Sequence, residues 1–104
     1  MLKSITRVCV IGLLAIGTQG FAQDAAATYK SKCQMCHGAD GTGNTPAGKS
    51  TKVRSFSDPA VVKMSDADLI AETTNGKNKM PAYKGKLTDA QIKDVVAYIR
   101  TLQK

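Results

Sequence analysis

The chain has 104 residues, 15 Lys and Arg against 8 Asp and Glu for a formal net charge of +7, and only 5% aromatic residues. That length suits one domain, and basic side chains without interleaved aromatics argue against a nucleic-acid-binding surface. No apolar run reaches the roughly 20 residues that span a bilayer.

Lys3 and Arg7 precede an apolar run from Val8 to Ile16, and Gly17-Thr18-Gln19-Gly20-Phe21-Ala22 follows it. A short cationic start, an apolar stretch of about ten residues and small residues before the cut describe an export signal removed after Ala22. The expected organisation is therefore a signal peptide over 1–22, which carries Cys9 away with it, and a single mature domain over 23–104. Losing Lys3 and Arg7 leaves that domain at +5.

Asp24 is placed to cap a helix over Ala25 to Cys33, where good helix formers surround Tyr29. The helix runs into Cys33-Gln34-Met35-Cys36-His37. A Cys-x-x-Cys-His run is the attachment site of c-type haem. Two cysteines three apart on a helical turn reach both porphyrin vinyl groups, and the adjacent imidazole becomes an axial ligand of the iron. A structural zinc site would need four ligands, yet the chain has no other His and only Cys9 besides. A thioredoxin-like dithiol would sit in a βαβ pattern, which is absent.

Gly38 to Ser57 is rich in Gly, Ser, Thr, Asn and Lys and reads as a flexible loop. It lacks the Gly-Lys-Ser/Thr ending of a phosphate-binding loop and follows no strand. Its glycines would let the backbone approach one edge of the haem. A second helix starts with Ser65 as N-cap and Asp68 at the third helical position, with Met64 and Leu69 as a hydrophobic staple, and stops at Asn75-Gly76. The last helix opens with a Thr88-x-x-Gln91 capping box and a Leu87–Ile92 staple. Ile92, Val95, Val96, Ile99 and Leu102 mark one face of it at helical spacing. Nothing alternates like a strand, so the fold class is all-α.

From Gln23 onward, Leu, Ile, Val and Phe number only 12, and Phe56 is the sole Phe. So small a domain usually needs a staple, and two cysteines make no disulfide framework. A buried haem would remedy the thin core. Iron held by His37 has a sixth position open to a methionine. Met35, two residues from His37, cannot reach the opposite face, and Met64 is accounted for as a staple. Met80 remains, held extended by Pro81 on a Gly-Lys-Asn-Lys loop. Its soft thioether favours ferrous iron and raises the potential.

Cys33-Gln34-Met35-Cys36-His37-Gly38, the loop from Thr74 through Met80-Pro81-Ala82-Tyr83, and the closing Asp94-Val95-Val96-Ala97-Tyr98-Ile99 together resemble a class I c-type cytochrome, of the small single-haem kind of bacteria and photosynthetic organisms. The resemblance covers nearly all of residues 23–104. It implies a small cytochrome c fold, with three to four helices around one covalent haem c. Its terminal helices would cross with Tyr29 against Tyr98 or Val95, and one haem edge would face solvent. It also implies Pro46 as the residue whose carbonyl accepts from the proximal His, Lys52 and Arg54 near the haem propionates, and Tyr83 in the place of a commoner Phe.

The function expected is an exported electron carrier in a periplasm or a lumen-like compartment. It would cycle one iron between ferric and ferrous states, as a monomer and not as an enzyme. Cys33, Cys36, His37 and Met80 would be its haem site. Lys77, Lys79, Lys84 and Lys86 flank Met80 and could steer the protein to acidic surfaces of redox donors and acceptors. The alternatives are a haem protein with a labile sixth site, serving as gas sensor or peroxidase, and the haem subunit of a larger oxidoreductase.

Overall fold

A computed structural model describes residues 19–104, with side chains from Asp24 onward. Residues 1–18 of the expected export signal, including Cys9, lie outside the described residues.

Six helical segments follow one another: α1 (Gln19–Lys32), α2 (Gln34–His37), α3 (Pro46–Thr51), α4 (Pro59–Val62), α5 (Asp66–Asn75) and α6 (Asp89–Leu102). Among the described residues the only β pairing is two isolated bridges, Lys77 with Met80 and Lys84 with Leu87. The all-α class holds.

The predicted caps of α5 and α6 form. Ser65 Oγ accepts from the Asp68 N–H at 3.0 Å, and α5 ends at Gly76, whose φ is 76°. At α6, Thr88 Oγ1 accepts from the Gln91 N–H at 3.1 Å while Gln91 Oε1 accepts from the Thr88 N–H at 2.9 Å. Each such cap contributes about 1 kcal/mol. The start of α1 differs from expectation. The helix extends back through Ala22 to Gln19, so Asp24 is an exposed interior residue and not its cap. No proline interrupts residues 19–24, and extending an existing helix costs far less than nucleating one.

The segment from Gly38 to Ser57, expected as loop, contains α3, and α4 follows it. Both short helices begin with a capping side chain and then Pro. Thr45 Oγ1 accepts from the Gly48 N–H at 2.8 Å, and Asp58 Oδ1 accepts from the Ala60 N–H at 2.9 Å. Proline at the first helical position loses no hydrogen bond and presets φ. The Thr45 hydroxyl also donates to the Cys36 carbonyl at 2.8 Å, tying α3 to α2.

The core gathers along α1 and α6. Ala25 and Tyr29 of α1 and Cys33 just after it, spaced four apart, bury one stripe, and Ile92, Val95, Val96 and Ile99 bury one face of α6. Tyr29 and Tyr98 meet at the crossing with ring centroids 5.2 Å apart, the pair the resemblance implied. The Tyr29 hydroxyl donates to the Gly38 carbonyl at 2.6 Å, which fixes the chain just past the Cys-x-x-Cys-His run. Met64 and Leu69, expected as a staple, join the same core cluster. Arg100 of α6 reaches the α4–α5 junction, donating from Nε to Asp66 at 2.9 Å and from Nη2 to the Met64 carbonyl.

Candidate functional site

One cavity opens between the α1–α2 corner and the loop after α5. Cys33, Cys36 and His37 line one side, and Met80, Pro81 and Tyr83 also line it. Val61, Leu69, Val95 and Ile99 supply apolar wall. The four residues picked out from the sequence as a haem site thus share one space.

Helix geometry accounts for the first three. Cys33 is the junction between α1 and α2, and the His37 N–H donates to its carbonyl at 2.9 Å. Cys33 and Cys36 are free thiols, the first buried and the second half-buried. Burial, with a smaller contribution from Cys36 beside it, pushes the Cys33 thiol up to about 11. It therefore stays protonated near neutrality and is a poor nucleophile until activated.

His37 stacks on Phe56 with centroids 4.6 Å apart and ring planes 21° from parallel. Its Nδ1 is buried and makes no hydrogen bond, and the residue lines the cavity. Burial lowers the imidazole pKa. The ring is accordingly neutral at pH 7 and keeps a lone pair for a metal. The Pro46 carbonyl does not accept from Nδ1, contrary to the implied role: Pro46 opens α3, where its carbonyl belongs to the helix ladder. What steadies the ring is Phe56, a role the sequence reading missed. Phe56 is itself held at both ends, its N–H donating to the Gly41 carbonyl at 2.9 Å and its carbonyl accepting from Gln103 Nε2 at 3.0 Å.

Gly48 lets α3 close against this corner. A Cβ there would collide with the carbonyl oxygens of Cys36 and Gly43. Gly48→Ala is therefore expected to destabilise the haem-loaded protein by about 1–3 kcal/mol, the usual cost of overpacking. The check is a lowered denaturation midpoint in guanidinium; an unchanged midpoint would mean that α3 shifts freely.

Of the methionines among the described residues, Met64 and Met80 line the cavity, whereas Met35 is 79% exposed and is not among its lining residues. Met80 closes a tight turn with Lys77, each N–H donating to the other's carbonyl, at 2.9 Å from Met80 and 3.2 Å from Lys77. Gly76 must be glycine for this turn to fold back, because a Cβ would lie 2.7 Å from the Met80 carbonyl oxygen.

The rim is cationic. Lys52, Arg54, Lys77 and Lys79 line the cavity, with Glu72 as the carboxylate among its lining residues. Lys77 pairs with that Glu72 at 3.0 Å, and Lys86 Nζ sits 5.9 Å from the centroid of the Tyr83 ring. Among the described residues Lys79 and Lys84 form no ion pair.

Two thiols, a neutral imidazole and a thioether around an apolar cavity fit a covalently attached haem with two axial ligands. Over residues 20–99 the sequence matches the family described as cytochrome C oxidase, cbb3-type, subunit III. It is similar to cytochrome c6 of Nostoc sp. (strain PCC 7120 / SAG 25.82 / UTEX 2576), with 36% identity over 94% of this chain and 92% of the relative. Cytochrome c6 of Leptolyngbya boryana is 38% identical over 73% of this chain and 89% of its own length. Among solved structures, the KustC0563 c-type cytochrome aligns with a TM-score of 0.72 and 32% identity, covering 78% of this chain and 99% of that one.

Proposed function

This chain belongs to the small class I c-type cytochromes, and on that premise we propose how its residues make it an electron carrier. Cys33 and Cys36 would hold haem c covalently, and His37 and Met80 would be the ligands of its iron. Haem c supplies a one-electron ferric–ferrous couple. The protein carries electrons and is not an enzyme.

The observation that carries the residue assignment is the shared cavity, with Cys33, Cys36 and His37 at one corner and Met80 on a separately fixed turn. Phe56 and α3 orient His37. Val61, Leu69, Val95 and Ile99 exclude water from the interior side. With His37 and Met80 both engaged by the iron, no position on it would be left for a substrate. The Lys3–Ala22 pattern supports export to a periplasm or lumen-like compartment, with cleavage after Ala22. No helix among the described residues is long and apolar enough to cross a membrane. The haem-matured protein should accept one electron per chain from a chemical reductant and return it to an oxidant over repeated cycles with the same spectrum. Turnover of peroxide by the same preparation would instead favour a labile sixth site.

The matched family is described as an oxidase subunit, which favours a second reading in which the chain serves a larger oxidoreductase. Native purification separates the two. Recovery as a lone chain supports the free carrier, and constant association with other subunits supports the complex.

Redox partners are expected to be acidic where they meet the cavity rim. Lys77 is paired with Glu72, whereas Lys79 and Lys84 beside Met80 form no ion pair among the described residues. Reversing both to Glu should slow association with an acidic redox partner by about tenfold at low salt, with the haem spectrum unchanged. The difference should shrink at 0.1 M salt, where the screening length is about 10 Å. Equal low-salt rates would assign docking to the apolar Met80-Pro81-Ala82 edge.

A further inference from the structure

Tyr83 joins parts of the site that are remote in sequence. The residue is 8% exposed and lines the same cavity as Cys33, His37 and Met80. Its hydroxyl donates to the Lys32 carbonyl at 2.8 Å, across 51 residues of chain. Lys32 is the last residue of α1, so this carbonyl is one of the four at a helix end that find no partner within the helix. The backbone of Tyr83 is tied as well. Its N–H donates to the Thr73 carbonyl of α5 at 3.1 Å, and its carbonyl accepts from the N–H groups of Lys86 and Leu87 at 2.9 and 3.0 Å.

Met80 is therefore suspended between two fixed points. On its N-terminal side stands the Lys77–Met80 turn folded against Gly76, and on its C-terminal side stands Tyr83. Pro81 restricts the backbone between them. Resting on the assignment of Met80 as the sixth ligand, we propose that Tyr83 is a positioning residue whose hydroxyl latches the methionine loop onto the end of α1. α1 leads directly into Cys33, so the latch fixes the loop bearing one axial ligand against the helix bearing the haem attachment. Opening the loop breaks this hydrogen bond. A Phe in its place fills the same apolar space and keeps the backbone bonds, but it loses the tie to α1 and lets the loop lift more readily.

The test compares haem-matured wild type, Tyr83→Phe and Met80→Ala, with imidazole as the probe of the ferric sixth position. Imidazole enters only after the methionine leaves, so its binding rate reports loop opening. Loss of one net hydrogen bond should raise that rate about three- to tenfold in Tyr83→Phe, with helical circular dichroism retained. The weak red absorption band of methionine-ligated ferric haem should survive at neutral pH. Met80→Ala should lack that band; if it keeps the band, the ligand assignment itself fails. If Met80→Ala loses the band and Tyr83→Phe binds imidazole at the wild-type rate, the latch is overturned even where the denaturation midpoint has dropped. Hydrogen exchange on wild type gives a second measurement that needs no variant. The amides of Tyr83 and Lys84 should be protected to the level of α1, and fast exchange there beside a protected α1 would also overturn the latch.

Discussion

Replacing Cys33 and Cys36 together by Ala is expected to leave little folded protein and no covalent haem. The reason lies in residues that serve core and cavity at once: Cys33, Phe56, Val61, Leu69, Val95 and Ile99 belong to the hydrophobic cluster and also line the cavity. Haem would fill the cavity that these side chains wall. Without it the helices must hold their packing around an unfilled cavity, which is destabilising. Full burial of a Val, Leu, Ile or Phe side chain is worth about 1.5–3 kcal/mol, against a net domain stability of about 5–15 kcal/mol. Collapse or loosening around the unfilled cavity would forfeit packing at several of these positions at once, which is a large fraction of so small a margin. Circular dichroism of the double variant should show a large loss of helix. A haem-free variant with native helicity and a cooperative melt would mean that α1, α5 and α6 form a sufficient core alone.

Met80→Ala is expected to keep the haem attached through Cys33, Cys36 and His37 while vacating the sixth position. Water or a nearby lysine, from Lys77, Lys79 or Lys84, then takes the site. The potential should fall, because a soft thioether that favours ferrous iron has been replaced by a harder oxygen or amine. The competing ligand is Met64, which also lines the cavity. Its carbonyl is held by Arg100 and its side chain packs against the core cluster, so it is already used structurally. An unchanged spectrum and potential in Met80→Ala would move the assignment to Met64.

Local chemistry made much of this molecule readable in advance. The caps of α5 and α6 depend on residues three apart, Ser65 with Asp68 and Thr88 with Gln91, and both form as written. The Cys-x-x-Cys-His spacing depends on one helical turn and needs no knowledge of the fold. Short helices were harder to see. α3 has six residues and α4 has four, too few to show an apolar period, and the Gly, Ser and Thr around them outweighed the Thr45-Pro46 and Asp58-Pro59 starts. That pair of cap–proline steps was the available signal. The stack of Phe56 on His37 and the bond from Tyr83 to Lys32 join residues 19 and 51 positions apart. Such contacts follow from how helices pack, which no local pattern encodes. The lysines around Met80 were legible as charge, but the pairing of Lys77 with Glu72 reduces the number free to meet a partner.

A redox titration of the haem-matured protein followed by ultraviolet–visible absorption tests the central assignment most directly, because it reads the ligands and the couple together. A single reversible one-electron transition is predicted, with six-coordinate spectra in both oxidation states. The red methionine–iron band should be present in the ferric form, and the ferrous form should not bind carbon monoxide appreciably. Absence of that band at neutral pH, together with tight carbon monoxide binding to the ferrous form, would contradict the closed His37–Met80 site.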